Sequence, residues 1–356
     1  MKKHSSGRAL SIAQFAPLVE PVPPTYYGGI ERVVYHLTEE LTRLGHRVTL
    51  FASGDSKSSA SLVSCCSRSL RLNPTQGDPM PAMLKMLSAM RKKLEGFDIL
   101  HFHTDLIRYP IFREVTGRAI TTVHMPPNCP VYGPRFESCP NTPVVAISGD
   151  QRSVAPAMNW VGTVHHGFPL DLFAPMRAPL GGYLAFLSRL EHDKRPDRAI
   201  DIAKRAGIPI KLAGKVGQSD QAYFDCCVKP MLDGQQAVYL GEISESEKQE
   251  LLGNSIGLVF PIGWREAFGL VMIEAMACGT PVLAFSRGSV REIVEHGVTG
   301  FVVEGVQEAV ATIGRLSELD RGVIRRRFEE KFSSARMTKD YLRLYDCMLN
   351  VPAAPL

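Results

Sequence analysis

Two carboxylates, Glu266 and Glu274, stand in an otherwise apolar run between Trp264 and Val282. Acids in such a setting are costly to bury unless something pairs with them. A helix is expected to start near Gly269, which leaves Glu266 in the preceding loop and Glu274 in the second helical turn. The two acids then share no helical stripe, and different partners are expected for each. Phe268 and Gly269 would offer backbone N–H groups at a helix N-terminus, where an anion is favoured. A loop carboxylate beside that point can accept hydrogen bonds from vicinal hydroxyls. A carboxylate one and a half turns further on can reach a second hydroxyl pair. A phosphate flanked by two polyols is the chemistry of a nucleotide sugar. The plain alternative is a salt-bridged or helix-capping pair of acids, with Arg265 as the partner at hand.

Three other stretches carry side chains suited to the same chemistry. Leu187-Ser-Arg-Leu-Glu-His-Asp-Lys-Arg195 follows a strand signal and precedes a helix signal, so Arg189 and Lys194 sit on a strand-end loop. An arginine fork and a compact lysine charge both suit phosphate oxygens; two solvated surface cations are the alternative. Gly28 and Gly29 open the first helix, where glycine lets backbone approach a ligand closely. They do not form the G-x-G-x-x-G dinucleotide fingerprint, and a simple turn-to-helix junction reads equally well. In Ile99-Leu-His-Phe-His-Thr-Asp105, His101 and His103 share one alternation face. His103 is nearer the carboxyl end of that strand and is the acceptor-side candidate, while His101 is expected to be a structural core histidine.

The elements that must position these groups alternate. Strands are expected over 10–16, 48–52, 97–103, 119–124 and 144–148, with an amphipathic helix over 30–44 closed by Gly45. The pattern restarts after Pro169, with strands over 184–187, 208–213, 238–240, 256–261 and 281–285. A helix is expected from Pro196 through Gly207, and another after Ser219 as its cap. From Val306 onward the chain reads as helical and charged. Apolar strand runs between helices indicate parallel sheets covered on both faces. The break over 170–182, with Pro169 just before it and Pro175, Pro179 and two glycines within it, suits a hinge. In open α/β sheets, ligands sit outside the carboxyl ends of the strands; in a two-domain version that places the site in the cleft between the halves.

At 356 residues the chain suits two domains. A net charge of +5 suits an anionic small molecule and gives no basic block of the kind nucleic-acid binders use. The eight cysteines lack C-x-x-C or zinc spacing and read as reduced cytosolic thiols. The N-terminus imitates a signal peptide but is interrupted by Gln14 and Pro17, so it is read as a first strand. No run is long enough for a membrane span. The stretch Met83 to Leu94 is amphipathic, with Arg91, Lys92 and Lys93 alongside. Packing on its own sheet is the favoured reading, and contact with an anionic membrane surface the second.

These motifs resemble those of the retaining glycosyltransferases of family four, which have the GT-B fold. Glu266 to Glu274 matches that family's Glu-x7-Glu motif. Arg189 and Lys194 match its diphosphate-binding pair, Gly28-Gly29 its N-terminal glycine loop, and Thr122-Val-His124 the strand end that carries its donor-sugar histidine. The matches run in the family's order from about residue 12 to 303. The resemblance implies two Rossmann-like, doubly wound domains facing each other across a cleft. Residues 1–172 would form the acceptor side and 180–335 the donor side, with 336–356 a helix packing back on the first domain. It assigns catalytic roles to His124, Arg189, Lys194 and Glu266. Glu266 and the backbone of Ala267, Phe268, Gly269 and Leu270 would hold sugar and phosphate, Glu274 the ribose, and Gly241, Glu242 and Ile243 the base. Gly28 and Gly29 complete the donor-binding set.

The implied reaction moves a hexose from a nucleotide-diphosphate sugar, UDP-glucose before GDP-mannose, to a hydroxyl acceptor. No metal and no cofactor are expected, because Arg189 and Lys194 would neutralise the leaving diphosphate. Reaction on the leaving-group face, with a phosphate oxygen taking the acceptor's proton, makes charge stabilisation the main catalytic term. The implied location is cytoplasmic or at the inner face of the membrane, and the oligomeric state is left open. The sequence departs from the family where Arg265 and Ala267 replace prolines beside the first acid and where His166-Gly167 replaces Asn-Gly. The other readings are a sugar-nucleotide epimerase of the same fold and a nucleotide-sugar-binding protein without turnover. Hydrolysis by the two acids needs them facing one glycosidic bond, and the helix-start anion site would then have no purpose.

Overall fold

The computed structural model describes residues 8–25, 27–73, 78–104, 117–128 and 133–350. The chain folds into two compact units. The first comprises Met1–Ile147, Val154–Val164 and Met337–Leu356; the second comprises Ser148–Ser153 and His165–Arg336.

The first unit is built on seven strands: β1 Ser11–Phe15, β2 Arg47–Ser53, β3 Ser61–Cys66, β4 Ile99–Phe102, β5 Ala119–Thr122, β6 Val144–Ala146 and β7 Trp160–Thr163. Their order is β3-β2-β1-β4-β5-β6-β7, and every pair is parallel. The chain therefore reverses its direction of growth beside β1, where the neighbours are β2 and β4. Register sets Gln14 opposite His101 and Phe15 opposite Phe102. Phe15 stacks on Phe51 at 4.5 Å and on Phe102 at 4.2 Å, forming an aromatic row across β2, β1 and β4. The helix Gly29–Arg43 buries Val33, Val34, Leu37 and Leu41, the stripe expected from its spacing. The helix Met80–Lys93 packs Met86, Leu87 and Met90 into the core that contains the phenylalanine row, so its apolar stripe rests on its own sheet.

The second unit has six strands: β8 Leu184–Leu187, β9 Ile210–Ala213, β10 Ala237–Tyr239, β11 Gly257–Phe260, β12 Val282–Phe285 and β13 Gly300–Val303. They run parallel in the order β10-β9-β8-β11-β12-β13. Again the order reverses at the central strand, here β8. The helix Leu270–Ala277 is buried on every side, which is why Glu274 lies inside although its helix carries no polar face. The helix Pro196–Ala206 starts with proline and stops at Gly207 in the left-handed region.

The structure departs from the sequence expectation in several places. Strands β3, β7 and β13 were not anticipated. Edge strands β3 and β7 are partly exposed and polar, so neither shows a continuous apolar run. Ser219 lies within a 3-10 turn, Gln218–Asp220, and makes no capping bond. Ser244 does cap the helix that follows it, in a reciprocal capping box with Glu247. Residues 170–182, read as a hinge, are tied to the second unit: Met176 N–H donates to Cys278 O and Gly181 N–H to Asn254 O. Arg325 donates to the carbonyls of Phe173 and Leu170 from the same unit. Residues 1–7, which entered the signal-peptide reading, lie outside the described residues.

Candidate functional site

In the second unit the functional candidates lie on the loops that leave the carboxyl ends of the strands. Arg189 and Lys194 follow β8, Gly241 to Ile243 follow β10, and Trp264 to Gly269 follow β11. The fold thus brings to one end of the sheet residues that are far apart in the chain.

Glu266 is 8% exposed, and its partner is Lys194, whose Nζ donates to Oε2. The indole N–H of Trp264 donates to the same oxygen at 3.1 Å. The Lys194 ammonium also lies 4.8 Å from the Trp264 ring centroid, within cation–π range. One carboxylate oxygen therefore collects a charged and a neutral donor. Arg265, the partner at hand by sequence, points elsewhere. It forms a two-pronged pair with Asp150 at 2.6–3.0 Å and reaches Ser153 Oγ at 3.2 Å.

The backbone of the Glu266 loop is clamped at three points. Ser289 N–H donates to Glu266 O at 2.9 Å, Ser289 Oγ to Phe268 O at 2.9 Å, and Ser148 Oγ to Ala267 O at 2.7 Å. Gly288, at φ 62°, lies so close that a Cβ there would stand 2.2 Å from Glu266 O. Gly269, at φ 80°, sets the chain into the helix that carries Glu274. Leu270 is the first residue of that helix, and Ala267 and Phe268, within the loop, are buried.

Glu274 is 3% exposed. Lys248 Nζ lies 3.8 Å from it and 2.9 Å from Glu245. Lys248 belongs to the helix Glu245–Gly253, which follows directly on Gly241, Glu242 and Ile243. Glu274 and the segment expected to meet the base are thereby linked through one buried lysine. Arg189 pairs with Glu191 at 2.9 Å. Burial raises the pKa of Glu191, while Arg189 and Lys194 pull it down.

In the first unit His124 and His103 are brought together at the ends of β5 and β4. His103 Nδ1 is 3.0 Å from His124 Nε2, and His103 Nε2 is 2.8 Å from Gln14 Oε1. His103 is buried, with both ring nitrogens engaged inside the unit. His124 is half-buried, and burial lowers its pKa to about 3, so the ring is neutral at pH 7. His101 is fully buried between Tyr345 Oη at 2.7 Å and Thr122 Oγ1 at 2.8 Å, as expected of a structural histidine. Gly28 and Gly29 sit where expected, at the start of the helix Gly29–Arg43, and Gly28 O accepts the N–H of Arg32 at 3.1 Å.

Trp264, Lys248, Gln14, Gly288 and Ser289 were not anticipated. Only Trp264 had a visible signal, being one of two tryptophans and standing two residues before the first acid. The others become meaningful only through contacts distant in the chain. Among the described residues, no group of three or more His, Cys, Asp or Glu side chains is placed to hold a metal ion, and no helix is long and apolar enough to cross a membrane.

Residues 181–332 match the family described as glycosyl transferases group 1, and residues 27–143 match glycosyltransferase family 4. Together the two matches cover most of the chain and split as the two sheets do. The chain belongs to glycosyltransferase family 4. Solved structures agree on the fold. Sucrose-phosphate synthase from Thermosynechococcus elongatus aligns with a TM-score of 0.79 at 17% identity, covering 95% of this chain and 99% of that one. The Anabaena protein HepE in complex with UDP and glucose gives 0.75 at 16%, covering 95% and 100%. A glycosyltransferase of avilamycin A biosynthesis gives 0.73 at 21%, covering 96% and 99%. At these identities the likeness establishes the GT-B fold alone: two parallel, Rossmann-like domains.

Among curated proteins, the D-inositol 3-phosphate glycosyltransferase of Mycobacterium tuberculosis is 33% identical over 159 residues, 41% of this family 4 chain. The corresponding protein of Mycobacterium bovis matches to the same extent. The chain spans about a third of the length of these curated relatives in the match.

Proposed function

We propose that this glycosyltransferase moves a hexose, with retention, from a nucleotide-diphosphate sugar to a hydroxyl acceptor, with UDP-glucose the favoured donor and GDP-mannose the next. The observation that carries the reading is the convergence on Glu266. A buried carboxylate at the mouth of the helix Leu270–Ala277 is held by Lys194 and Trp264, with Glu274 buried further along the same helix. A sugar-diphosphate arriving there would draw Lys194 toward its phosphates and leave Glu266 to accept from the sugar's hydroxyls. Arg189, 36% exposed at its side chain, supplies the second cation. Glu274 would take the ribose hydroxyls, with Lys248 holding it in place, and Gly241, Glu242 and Ile243 would meet the base. In the first unit His124 is assigned to the donor sugar and Gly28-Gly29 to its phosphate end.

The chain's own part in the reaction is electrostatic. Charge builds on the departing diphosphate, and Arg189 and Lys194 stabilise it without a metal ion. A phosphate oxygen takes the acceptor's proton on the face that the leaving group vacates. HepE was solved with UDP and glucose, which favours UDP-glucose as the first donor to try. The described cysteines are all free, which suits a reducing compartment, and we place the enzyme in the cytoplasm. We assign the helix Met80–Lys93 no membrane role, because its stripe already packs on its own sheet.

The test is thermal unfolding with UDP, GDP and ADP in parallel, in chelator, followed by NMR of the transferred sugar's anomeric proton. A ligand specific to the folded state at a hundredfold excess over its Kd adds about 2.7 kcal/mol. A shift with UDP and an α-linked product from UDP-glucose support the proposal. Interconversion of the sugar while still on the nucleotide would favour an epimerase. Binding without turnover toward any hydroxyl acceptor or water would favour the non-catalytic reading.

A further inference from the structure

Seven polar side chains of the first unit form one continuous chain. It runs from His124 to His103, to Gln14, to Tyr345 Oη at 3.5 Å, to His101, to Thr122 and to Tyr341 Oη at 2.9 Å. Gln14 lies on β1, the histidines and Thr122 on or just beyond β4 and β5, and the two tyrosines on the last helix. Each histidine in such a chain has one proton to place, so the direction of one link fixes the others.

The two contacts of Tyr345 decide the direction. Its oxygen is 2.7 Å from His101 Nδ1 and 3.5 Å from Gln14 Nε2. The Gln14 amide nitrogen donates to Tyr345 Oη while the amide oxygen faces His103 Nε2, so the Tyr345 oxygen accepts on that side and has its own proton for the other. Tyr345 therefore donates to His101 Nδ1, and His101 donates from Nε2 to Thr122. Facing the Gln14 amide oxygen, His103 must donate from Nε2, which leaves Nδ1 as its lone-pair nitrogen, and His124 must donate to it.

We infer that Gln14 and His103 are positioning residues that hold His124 in the single tautomer with its proton on Nε2. In that tautomer Nδ1 accepts and cannot donate, so a sugar hydroxyl that meets this ring must give its proton to the hydrogen bond. This functional consequence rests on the proposed glycosyl transfer; the tautomer does not. The reverse chain, with the amide turned over, would put the His124 proton on Nδ1 and have the ring donate to the sugar.

The test is ¹⁵N NMR of the full chain with labelled histidine, the His124 signals being assigned by their loss in His124→Asn. The expected wild-type result is His124 with Nε2 in the protonated range and Nδ1 in the unprotonated range. A His124 proton on Nδ1, or shifts averaged between the two forms, would overturn the inference. In Gln14→Met, which keeps the bulk and removes the amide, the His124 shifts should move toward the average of the two tautomers. Unchanged shifts there would show that Gln14 does not hold the ring. Should Gln14→Met not fold, Tyr345→Phe interrogates the same chain one link further back, with the same two outcomes. No nucleotide sugar enters these measurements, so a protein that transfers no sugar would still answer them.

Discussion

The indole nitrogen of Trp264 and the ammonium of Lys194 donate to the same oxygen of Glu266, with the ammonium also over the indole ring. The tryptophan thus orients the acid directly and the lysine through its ring. Trp264→Phe keeps a ring for the cation and removes only the N–H donor. A hydrogen bond to a charged group contributes about 1.5–3 kcal/mol. The expected result is a loss of about tenfold or more in kcat/KM for the donor sugar, with UDP affinity little changed. A parallel loss of UDP affinity would show that Trp264 serves the nucleotide instead.

Gly288 fixes the other side of the Glu266 loop. At φ 62° it is in the left-handed region, and a Cβ would meet Glu266 O at 2.2 Å and Glu266 N at 2.5 Å. These are backbone atoms, which cannot swing aside as a side chain does. Gly288→Ala combines the left-handed strain with overpacking and should cost at least about 2 kcal/mol. Urea unfolding measures it. Gly297 is also left-handed, at φ 77°, but has open space around it, so Gly297→Ala should cost only the strain and serves as the control.

What the sequence made legible was local. Glu266, Arg189 and Lys194 stood out because each lies at a strand end or helix start that periodicity locates, Glu274 because it is an acid inside an apolar helical run, and the parallel two-sheet fold followed from the same alternation. What it left out was pairing. Arg265 is adjacent to Glu266 yet bonds Asp150, while Lys194 reaches across from the loop after β8. Gln14 and Tyr345 meet although they are 331 positions apart. A polar residue inside a strand reads as a defect until its partner is known. Strand β7 was missed for a related reason: its burial alternates at the sheet's edge, and a four-residue alternation is too short to separate from a loop.

The two acids should separate functionally. Glu274 pairs with Lys248 at 3.8 Å, both almost fully buried, on the helix proposed to carry the ribose site. Glu274→Ala should weaken UDP binding by about tenfold, the scale of one hydrogen bond to a charged group. Glu266→Ala should leave UDP affinity close to wild type and slow sugar transfer. Lys248→Met retains Glu274 and should weaken UDP binding by less than Glu274→Ala does. Calorimetric titration of UDP into the three variants checks the order. Unchanged affinity and turnover in both acid variants would remove the assignment.

Glu31, in the first turn of the helix Gly29–Arg43, gives the first unit a pH-dependent stability. Burial raises its pKa from 4.5 to about 7, and the carboxylate of Glu20 pushes the same way. Backbone hydrogen bonds and Arg71 pull it down without cancelling the shift. A raised carboxyl pKa means that the folded state holds the proton more tightly than the unfolded chain. Below about pH 4.5 both states are protonated and Glu31 adds no pH dependence. As pH rises from there to about 7, the unfolded chain ionises first and stability falls; above that it levels off at its lower value. Glu31→Gln keeps a carbonyl for the backbone donors and cannot ionise. It should match wild type near pH 4.5 and exceed it at pH 8, by about 3 kcal/mol at most. Urea unfolding at the two pH values measures the difference, and an equal offset at both would mean that the carboxyl's charge is not its cause.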